Sequence, residues 1–276
     1  MSKLEKIVPE AEADGYAPTI RIEVRDGVGW MIFANPKRRN AVTYTMWRQI
    51  PAALDDLAAD DDVRVVALRG EGEASFISGA DISEFATRRS TPDQVAEYDR
   101  VGTEAHAAIV ACPKPTVAVI RTWCVGGGVA TALGCDLRIA SEDTRFAVPA
   151  ARLGLGYRYS GIKALVDVVG PANAREIFFT ARKYPADEAL RMGLINRTFA
   201  AEGFDAAAQA YLEEIAGNAP LTIAAAKMAI RAVGQDPDQR DIAAITEAVQ
   251  TCFDSEDYRE GRAAFAEKRP PRFRGR

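Results

Sequence analysis

Apolar and polar positions follow two different patterns along the chain. Through the first two-thirds, short apolar runs typical of buried strands alternate with stretches whose apolar residues recur at helical spacing. The predicted strands are 19–24, 28–34, 63–69, 116–120 and 137–140, and the predicted helices are 46–59 and one that runs from Thr91 to about Cys112. Asp26-Gly27 is a hairpin signal between the first two strands. This recurring order predicts a layered α/β core.

From about Asp205 the pattern is helical alone. Four segments of helix-forming composition are separated by short polar breaks, and they span 205–217, 221–233, 237–253 and 255–267. We therefore predict a polar N-terminal arm (1–18), an α/β core (19–204) and a C-terminal helical region (205–276). The helices of the last region must bury their apolar faces, either on the chain's own core or against neighbouring subunits.

Composition narrows the function classes. The 276 residues are 48% hydrophobic and 27% charged, as in ordinary globular proteins, and the net charge of −4 gives no sign of nucleic-acid binding. The first 18 residues lack an apolar signal segment and no apolar run is long enough to span a membrane. The four cysteines show neither disulfide nor metal-ligand spacing. We expect free thiols in a reducing cytoplasm and no bound metal.

Two glycine-containing segments carry the candidate chemistry. Gly126 to Gly128 follow a predicted strand and precede a helix-compatible stretch, so the Gly127 N–H would stand unpaired at a helix start. Ser78-Gly79-Ala80-Asp81-Ile82 is a second small-residue turn, in which the Ala80 N–H could face a cleft. Two such donors that converge on one carbonyl form an oxyanion hole. The triple glycine alone is also typical of a tight strand-to-helix connection, and it lacks the dinucleotide G-x-G-x-x-G spacing.

The two segments in this order, 47 residues apart, resemble the crotonase superfamily, which includes the enoyl-CoA hydratases and isomerases. Further similar segments are 35–41, 134–140, 189–196 and 265–269, so the resemblance covers roughly residues 19–273. It implies a crotonase-like layered β/α core with a C-terminal all-helical oligomerisation region. It also implies an acyl-CoA substrate, with coenzyme A present only as part of that thioester, and a homotrimer or a dimer of trimers.

The resemblance implies a set of substrate contacts around the two catalytic N–H groups. The candidate binding residues are Lys37, Arg39, Ala41, Asp81, Ile82, Glu84, Phe265 and Lys268. The basic cluster in the last nine residues is either a solvated tail or a contact for the coenzyme A phosphates. The single histidine, His106, lies in an alanine-rich helical run and is interpreted as structural.

Both carboxylates of the hydratase mechanism are missing. The family's two catalytic glutamates map onto Ala130 and Ala150, and alanine cannot transfer a proton. Other superfamily members have a catalytic aspartate where this chain has Arg158, which stays protonated and cannot serve as a base. If Arg158 faces the cleft it should bind a substrate carboxylate, and if it faces solvent it is a surface arginine.

Tyr157 is the remaining candidate catalytic side chain. The stretch 153–162 is similar to the corresponding segment of bacterial methylmalonyl-CoA decarboxylase, in which a tyrosine at this position is associated with the carboxylate pocket. The resemblance favours a lyase reaction on a carboxylated acyl-CoA. Two alternatives stay open: a hydratase or isomerase that uses another residue such as Glu84 or Tyr157, and a CoA-thioester-binding protein without turnover.

Overall fold

The computed structural model describes residues 2–7 and 16–276. In this part of the chain nine strands form two sheets. The strands are β1 (Thr19–Arg25), β2 (Val28–Ala34), β3 (Val65–Gly70), β4 (Thr116–Ile120), β5 (Trp123–Val125), β6 (Leu137–Ser141), β7 (Arg145–Ala147), β8 (Tyr184–Pro185) and β9 (Arg197–Phe199).

Eleven α-helices connect and cover these strands in the described residues. They are α1 (Tyr44–Ala59), α2 (Phe85–Arg88), α3 (Pro92–Ala111), α4 (Gly127–Gly134), α5 (Ala150–Leu153), α6 (Tyr159–Thr180), α7 (Ala186–Arg191), α8 (Phe204–Ala216), α9 (Pro220–Val233), α10 (Ile242–Asp254) and α11 (Glu256–Glu267). None of the helices in this part of the chain is both long and apolar enough to cross a membrane.

The larger sheet has the strand order β1-β2-β3-β4-β6-β9. Only the β1–β2 pair is antiparallel, and its turn residues Asp26 and Gly27 both have positive φ, as the hairpin signal predicted. The other pairs are parallel, because helices carry the chain back across the sheet between successive strands. A smaller sheet, β5-β7-β8, stands beside it and leads into α4.

Both faces of the larger sheet are covered. On β2, Met31 and Phe33 belong to a core that includes buried residues of α1, α3 and α4. The alternate residues Trp30 and Ile32 pack with Phe204 and other residues of α8 on the opposite face. Burial on both faces explains why the strand sequences are continuous apolar runs rather than alternating ones.

The predicted layered α/β core and C-terminal helices are confirmed. The predicted helix 237–253 begins only at Ile242, because the Asp241 side chain accepts the Ala244 N–H and caps the helix there. The long helix α6, which turns at Gly170, and the three-stranded sheet were not predicted from the pattern. The three-region division stays a prediction, and residues 8–15 of the arm lie outside the described part of the chain.

Residues 270–276, which we call the C-terminal strap, fold back along α11. The Asp257 carboxylate is buried and accepts the N–H groups of Arg274 at 2.6 Å and Gly275 at 2.8 Å. In return, the Arg276 carbonyl accepts the Glu256 N–H at 2.7 Å. The predicted basic tail is therefore docked on the helical region rather than solvated as a free end.

Candidate active site

The segment 77–81 is held between two neighbours. On one side the Val42 N–H donates to the Gly79 carbonyl and the Asp81 N–H donates to the Val42 carbonyl, both at 2.9 Å. On the other side the Val125 N–H of β5 donates to the Ile77 carbonyl at 2.9 Å. The Ala80 N–H takes no part in these hydrogen bonds, and the Ala80 nitrogen lies close to the start of α4.

Helix α4 supplies the second donor. Gly126 has φ 52° and ψ −109°, a backbone conformation that favours glycine, and the helix begins at the next residue. The Gly127 N–H lies in the first turn, where no intrahelical acceptor is available. A Cβ placed on Gly127 would lie 3.3 Å from the Ala80 nitrogen and 3.4 Å from Trp47 Cζ2. The backbone nitrogens of Ala80 and Gly127 thus lie beside one small space, and the role of this space as an oxyanion hole stays a prediction.

Gly128 explains how α4 comes so close to the segment 77–81. A Cβ on Gly128 would overlap the Ile77 carbonyl and lie 2.9 Å from Ile77 Cβ. Among the described residues, no hydrogen-bond acceptor pairs with the N–H groups of Ala80 or Gly127. Gly128 therefore permits the close packing of α4, and Gly127 leaves room for a ligand atom beside its N–H group.

The segment 35–41 is hydrogen-bonded to the segment 71–78, which leads into Ala80. Asn40 Nδ2 donates to the carbonyls of Glu71 and Ser75 at 3.0 and 2.8 Å, and the Arg39 carbonyl accepts the Ser78 N–H at 3.2 Å. Ala41 is buried, while Lys37 and Arg39 are exposed at the surface. The two basic side chains are placed where a phosphate could reach them, and their role in coenzyme A binding stays a prediction.

The carboxylates that follow Ala80 in sequence have structural partners. Asp81 is buried, receives an Arg38 guanidinium hydrogen bond at 3.0 Å and accepts the Ser83 N–H at 3.0 Å. Glu84 accepts the Tyr44 N–H at 2.7 Å and so caps the start of α1. Ile82, between them, is 70% exposed. The substrate-binding roles of these three residues stay predictions.

Neither position of the lost glutamates offers an acid or a base. Ala130 lies in the second turn of α4, and Ala150 is buried at the start of α5. His106 of α3 packs behind α4 at Gly134 and lies near the Ala130 backbone. Burial lowers the pKa of His106, and a hydrogen bond with the Ala130 backbone opposes this shift. The ring is consequently neutral near pH 7 and packs between α3 and α4.

Tyr157 lies beside Gly126, next to the predicted oxyanion hole. Its hydroxyl is 3.9 Å from the position of a Cβ on Gly126, and its ring meets Phe178 edge-on at 5.0 Å. Burial raises the pKa of this hydroxyl, so Tyr157 is protonated near pH 7. Arg158 points elsewhere: its side chain is 72% exposed and pairs with Asp99 at 2.6 Å. Arg89 binds the same carboxylate at 3.3 Å.

The two C-terminal candidates, Phe265 and Lys268, lie at the surface at the end of α11. Phe265 is 87% exposed on α11, and Lys268 ends that helix in a left-handed conformation. A groove of about 690 Å³ between α9, α10 and α11 has Phe265 in its wall. The contacts of Phe265 and Lys268 with coenzyme A stay predictions.

The sequence did not single out Trp47 and Tyr98 as members of this site. Both are buried between α1 and α3, where they occupy apolar positions of helical periodicity that are typical of an ordinary core. Yet Trp47 Nε1 and Tyr98 Oη have no hydrogen-bond partner among the described residues. Burial raises the pKa of Tyr98 to about 12.

Comparison with known proteins assigns this geometry to a family. The family model for enoyl-CoA hydratase/isomerase matches residues 23–276. The chain belongs to the enoyl-CoA hydratase/isomerase family. A short-chain-enoyl-CoA hydratase from Clostridium acetobutylicum is 32% identical over 248 residues, which are 90% of this chain and 94% of that protein. An (E)-benzylidenesuccinyl-CoA hydratase from Thauera aromatica is 32% identical over 257 residues, with coverage of 93% and 99%.

Solved structures agree with the family. The crystal structure of an enoyl-CoA hydratase/carnithine racemase from Magnetospirillum magneticum has a TM-score of 0.89 to this chain at 35% identity. The match covers 93% of this chain and 96% of that one. The predicted superfamily and its fold are thereby confirmed, as is membership of an enzyme family that processes acyl-CoA thioesters. The relatives from Clostridium acetobutylicum and Thauera aromatica are both named as hydratases, and neither is named as a decarboxylase.

Proposed function

We propose that the chain binds an acyl-CoA thioester with its carbonyl oxygen between the N–H groups of Ala80 and Gly127, and that it catalyses a reaction through the thioester enolate. The observation that supports this most directly is the convergence of two unpaired backbone donors, with 3.3 Å from the Ala80 nitrogen to the Cβ position of Gly127. Preorganised donors of this kind stabilise the charge that develops on a carbonyl oxygen. Coenzyme A takes part as a portion of the substrate.

Within this class we favour the decarboxylation of a carboxylated acyl-CoA, such as a malonyl or methylmalonyl thioester. The bond between the α carbon and the carboxylate breaks, its electron pair becomes the enolate, and CO₂ leaves. The step requires a stabilised oxyanion but no protein carboxylate as base, which suits the alanines at positions 130 and 150. A proton then bonds to the α carbon and completes the product thioester.

Tyr157 is the proposed source of that proton. Its hydroxyl lies beside Gly126, at the edge of the oxyanion hole, and burial raises its pKa, so the group carries its proton near pH 7. Transfer from Oη to the α carbon leaves a phenolate, which a solvent proton restores. Arg158 is the proposed partner of the substrate carboxylate, and to bind it the guanidinium must leave Asp99 and turn from the solvent toward the site.

The deciding experiment measures CO₂ release from malonyl-CoA and methylmalonyl-CoA beside the hydration of crotonyl-CoA. We expect CO₂ release with slow hydration. A Tyr157→Phe variant should lose about 10²-fold in rate or more, as is typical when a general acid is removed. An Arg158→Met variant should bind the carboxylated thioester more weakly while its affinity for the uncharged acyl analogue is unchanged. CO₂ release that is undetectable in the wild-type chain contradicts the proposal.

The alternative is an atypical hydratase or isomerase, and the names of the relatives favour it. It predicts rapid turnover of crotonyl-CoA, with Tyr157 or Glu84 as the proton-transfer group. Binding of acyl-CoA without either reaction would instead identify a thioester-binding protein.

The described cysteines are all free, which supports the proposed location in a reducing compartment such as the cytoplasm.

A further inference from the structure

Two buried polar atoms beside the oxyanion hole have no hydrogen-bond partner among the described residues. They are Nε1 of Trp47 and Oη of Tyr98, and the two residues are only 8% and 7% exposed. Buried polar groups are nearly always paired, because an unpaired one loses its hydration without compensation. Trp47 and Tyr98, which lie together beside the candidate site, are therefore candidates for contact with a bound molecule.

Their position connects them to the bound thioester. Trp47 Cζ2, two bonds from Nε1, lies 3.4 Å from the position of a Cβ on Gly127. The Trp47 indole lies close enough to Tyr98 for a weak hydrogen-bonding interaction that lowers the pKa of the phenol, although the pair falls outside strict hydrogen-bond geometry. The polar pair therefore lies next to the space where the thioester carbonyl is proposed to bind.

The pair has more donors than acceptors. An indole nitrogen can only donate, and a phenol donates one proton. Even a hydrogen bond from Trp47 Nε1 to Tyr98 Oη would leave the phenol proton without an acceptor. Asp81 and Glu84 are the nearby carboxylates that influence Tyr98, and they accept hydrogen bonds from Ser83 and Tyr44. Within the described residues, the phenol proton of Tyr98 has no acceptor in hydrogen-bond geometry.

We propose that Trp47 and Tyr98 donate hydrogen bonds to an acceptor oxygen on the acyl group of the thioester. The pair then selects acyl groups with a hydroxyl, keto or carboxylate oxygen a few bonds from the thioester carbonyl over plain alkyl groups. Phe85 and Arg89 pack on the Tyr98 ring. The inference rests on the acyl-CoA binding proposed above and adds the class of acyl group.

Isothermal titration calorimetry of the full chain tests this selection. The ligands are butyryl-CoA, 3-hydroxybutyryl-CoA and 4-hydroxybutyryl-CoA, which differ in the presence and position of one hydroxyl. We expect the wild-type chain to bind at least one hydroxyacyl thioester about tenfold more tightly than butyryl-CoA, a difference of about 1.4 kcal/mol. Tyr98→Phe and Trp47→Phe should each abolish most of this preference while they retain the affinity for butyryl-CoA.

Two matched variants control for the loss of a ring substituent. Trp30→Phe removes an indole nitrogen that is likewise buried and unpartnered, but on the opposite face of the sheet. Tyr44→Phe removes a hydroxyl from the neighbouring ring, where it already donates to Glu97 at 2.9 Å. Both controls should keep the preference for the hydroxyacyl thioester.

The outcomes separate this inference from the proposed function. If all three thioesters bind with equal affinity, the selection by Trp47 and Tyr98 is wrong and acyl-CoA binding stands. If Tyr98→Phe and Trp47→Phe weaken all three ligands alike, the two residues act only in packing and the inference is again wrong. If none of the thioesters binds, the proposed function itself fails.

Discussion

At the scale of single residues, two adjacent glycines have different tasks. Gly127 leaves open the space beside the Ala80 nitrogen, where the carbonyl oxygen is proposed to bind, whereas Gly128 permits the helix to touch the Ile77 backbone. The consequence is that the same substitution should affect activity at one position and folding at the next. This contrast gives a direct test of the oxyanion hole.

Gly127→Ala should remove activity without unfolding the chain. The new methyl group would lie 3.3 Å from the Ala80 nitrogen and 3.4 Å from Trp47 Cζ2, contacts that small shifts relieve, but it would occupy the place of the carbonyl oxygen. Loss of an oxyanion donor typically costs about 10²- to 10³-fold in rate. Turnover is measured on the substrate that the wild-type chain accepts, with urea unfolding as the stability measurement.

The controls are Gly128→Ala and Gly102→Ala. The first would place Cβ against the Ile77 carbonyl and should lower the free energy of unfolding by about 1–3 kcal/mol, as overpacking does. In Gly102→Ala the new methyl group meets no atom within 4 Å, so neither the rate of turnover nor the free energy of unfolding should fall. Activity of Gly127→Ala close to the wild-type value would contradict the assignment of the hole.

The closeness of the two glycine-containing segments could be predicted from the sequence, because small residues at a helix start and in a tight turn permit close backbone approach. That their N–H groups bind the carbonyl oxygen stays a prediction. Trp47 and Tyr98 could not be singled out from the sequence, since an aromatic residue on an apolar helix face normally belongs to the core. The sequence also left open where Arg158 points. That direction depends on Asp99 of α3, 59 residues earlier in the chain, and no local pattern encodes such a contact.

At the scale of elements, the strands were predictable because a strand that is buried on both faces consists of consecutive apolar residues. Strands β2 and β4 have the predicted bounds, 28–34 and 116–120. Helix α6 was less predictable, because Gly170 and Pro171 in its middle are normally helix-breaking residues. The docking of the C-terminal strap depends on one buried carboxylate and could not be inferred from charge alone.

Asp257→Ala should release the strap from α11. The substitution removes the acceptor of the Arg274 and Gly275 N–H groups, and the loss of such bonds typically lowers the free energy of unfolding by about 1–3 kcal/mol. Urea unfolding and the rate of tryptic cleavage after Arg272 measure the effect. Asp238→Ala, at an exposed position, is the control and should change neither measurement. Unchanged cleavage in Asp257→Ala would mean that the strap is undocked in solution.

At the scale of the whole molecule, the helical region presents apolar side chains that the single chain leaves uncovered. Ile230, Val233 and Phe265 are 73%, 77% and 87% exposed. Apolar patches of this kind are typical of protein interfaces. The exposure supports the proposal that this region joins subunits into a trimer or a dimer of trimers.

Sedimentation velocity should give a mass three or six times the 29.9 kDa of one chain. Phe265→Ser should shift the distribution toward smaller species, because a serine forfeits the apolar burial that the interface would provide. Val24→Ser, at a residue that is 42% exposed on β1, is the control and should leave the distribution unchanged. A wild-type chain that sediments as a monomer at micromolar concentration contradicts the proposal.

The distribution of thiols makes that assembly observable without any substitution. Cys112, Cys124 and Cys135 are buried, and burial raises the pKa of each thiol, which suppresses reaction with alkylating reagents. Cys252 is half-buried in the wall of the groove between α9, α10 and α11. A maleimide dye added to the native chain should therefore mark this one position, and its labelling rate at rising protein concentration would report whether the groove becomes covered.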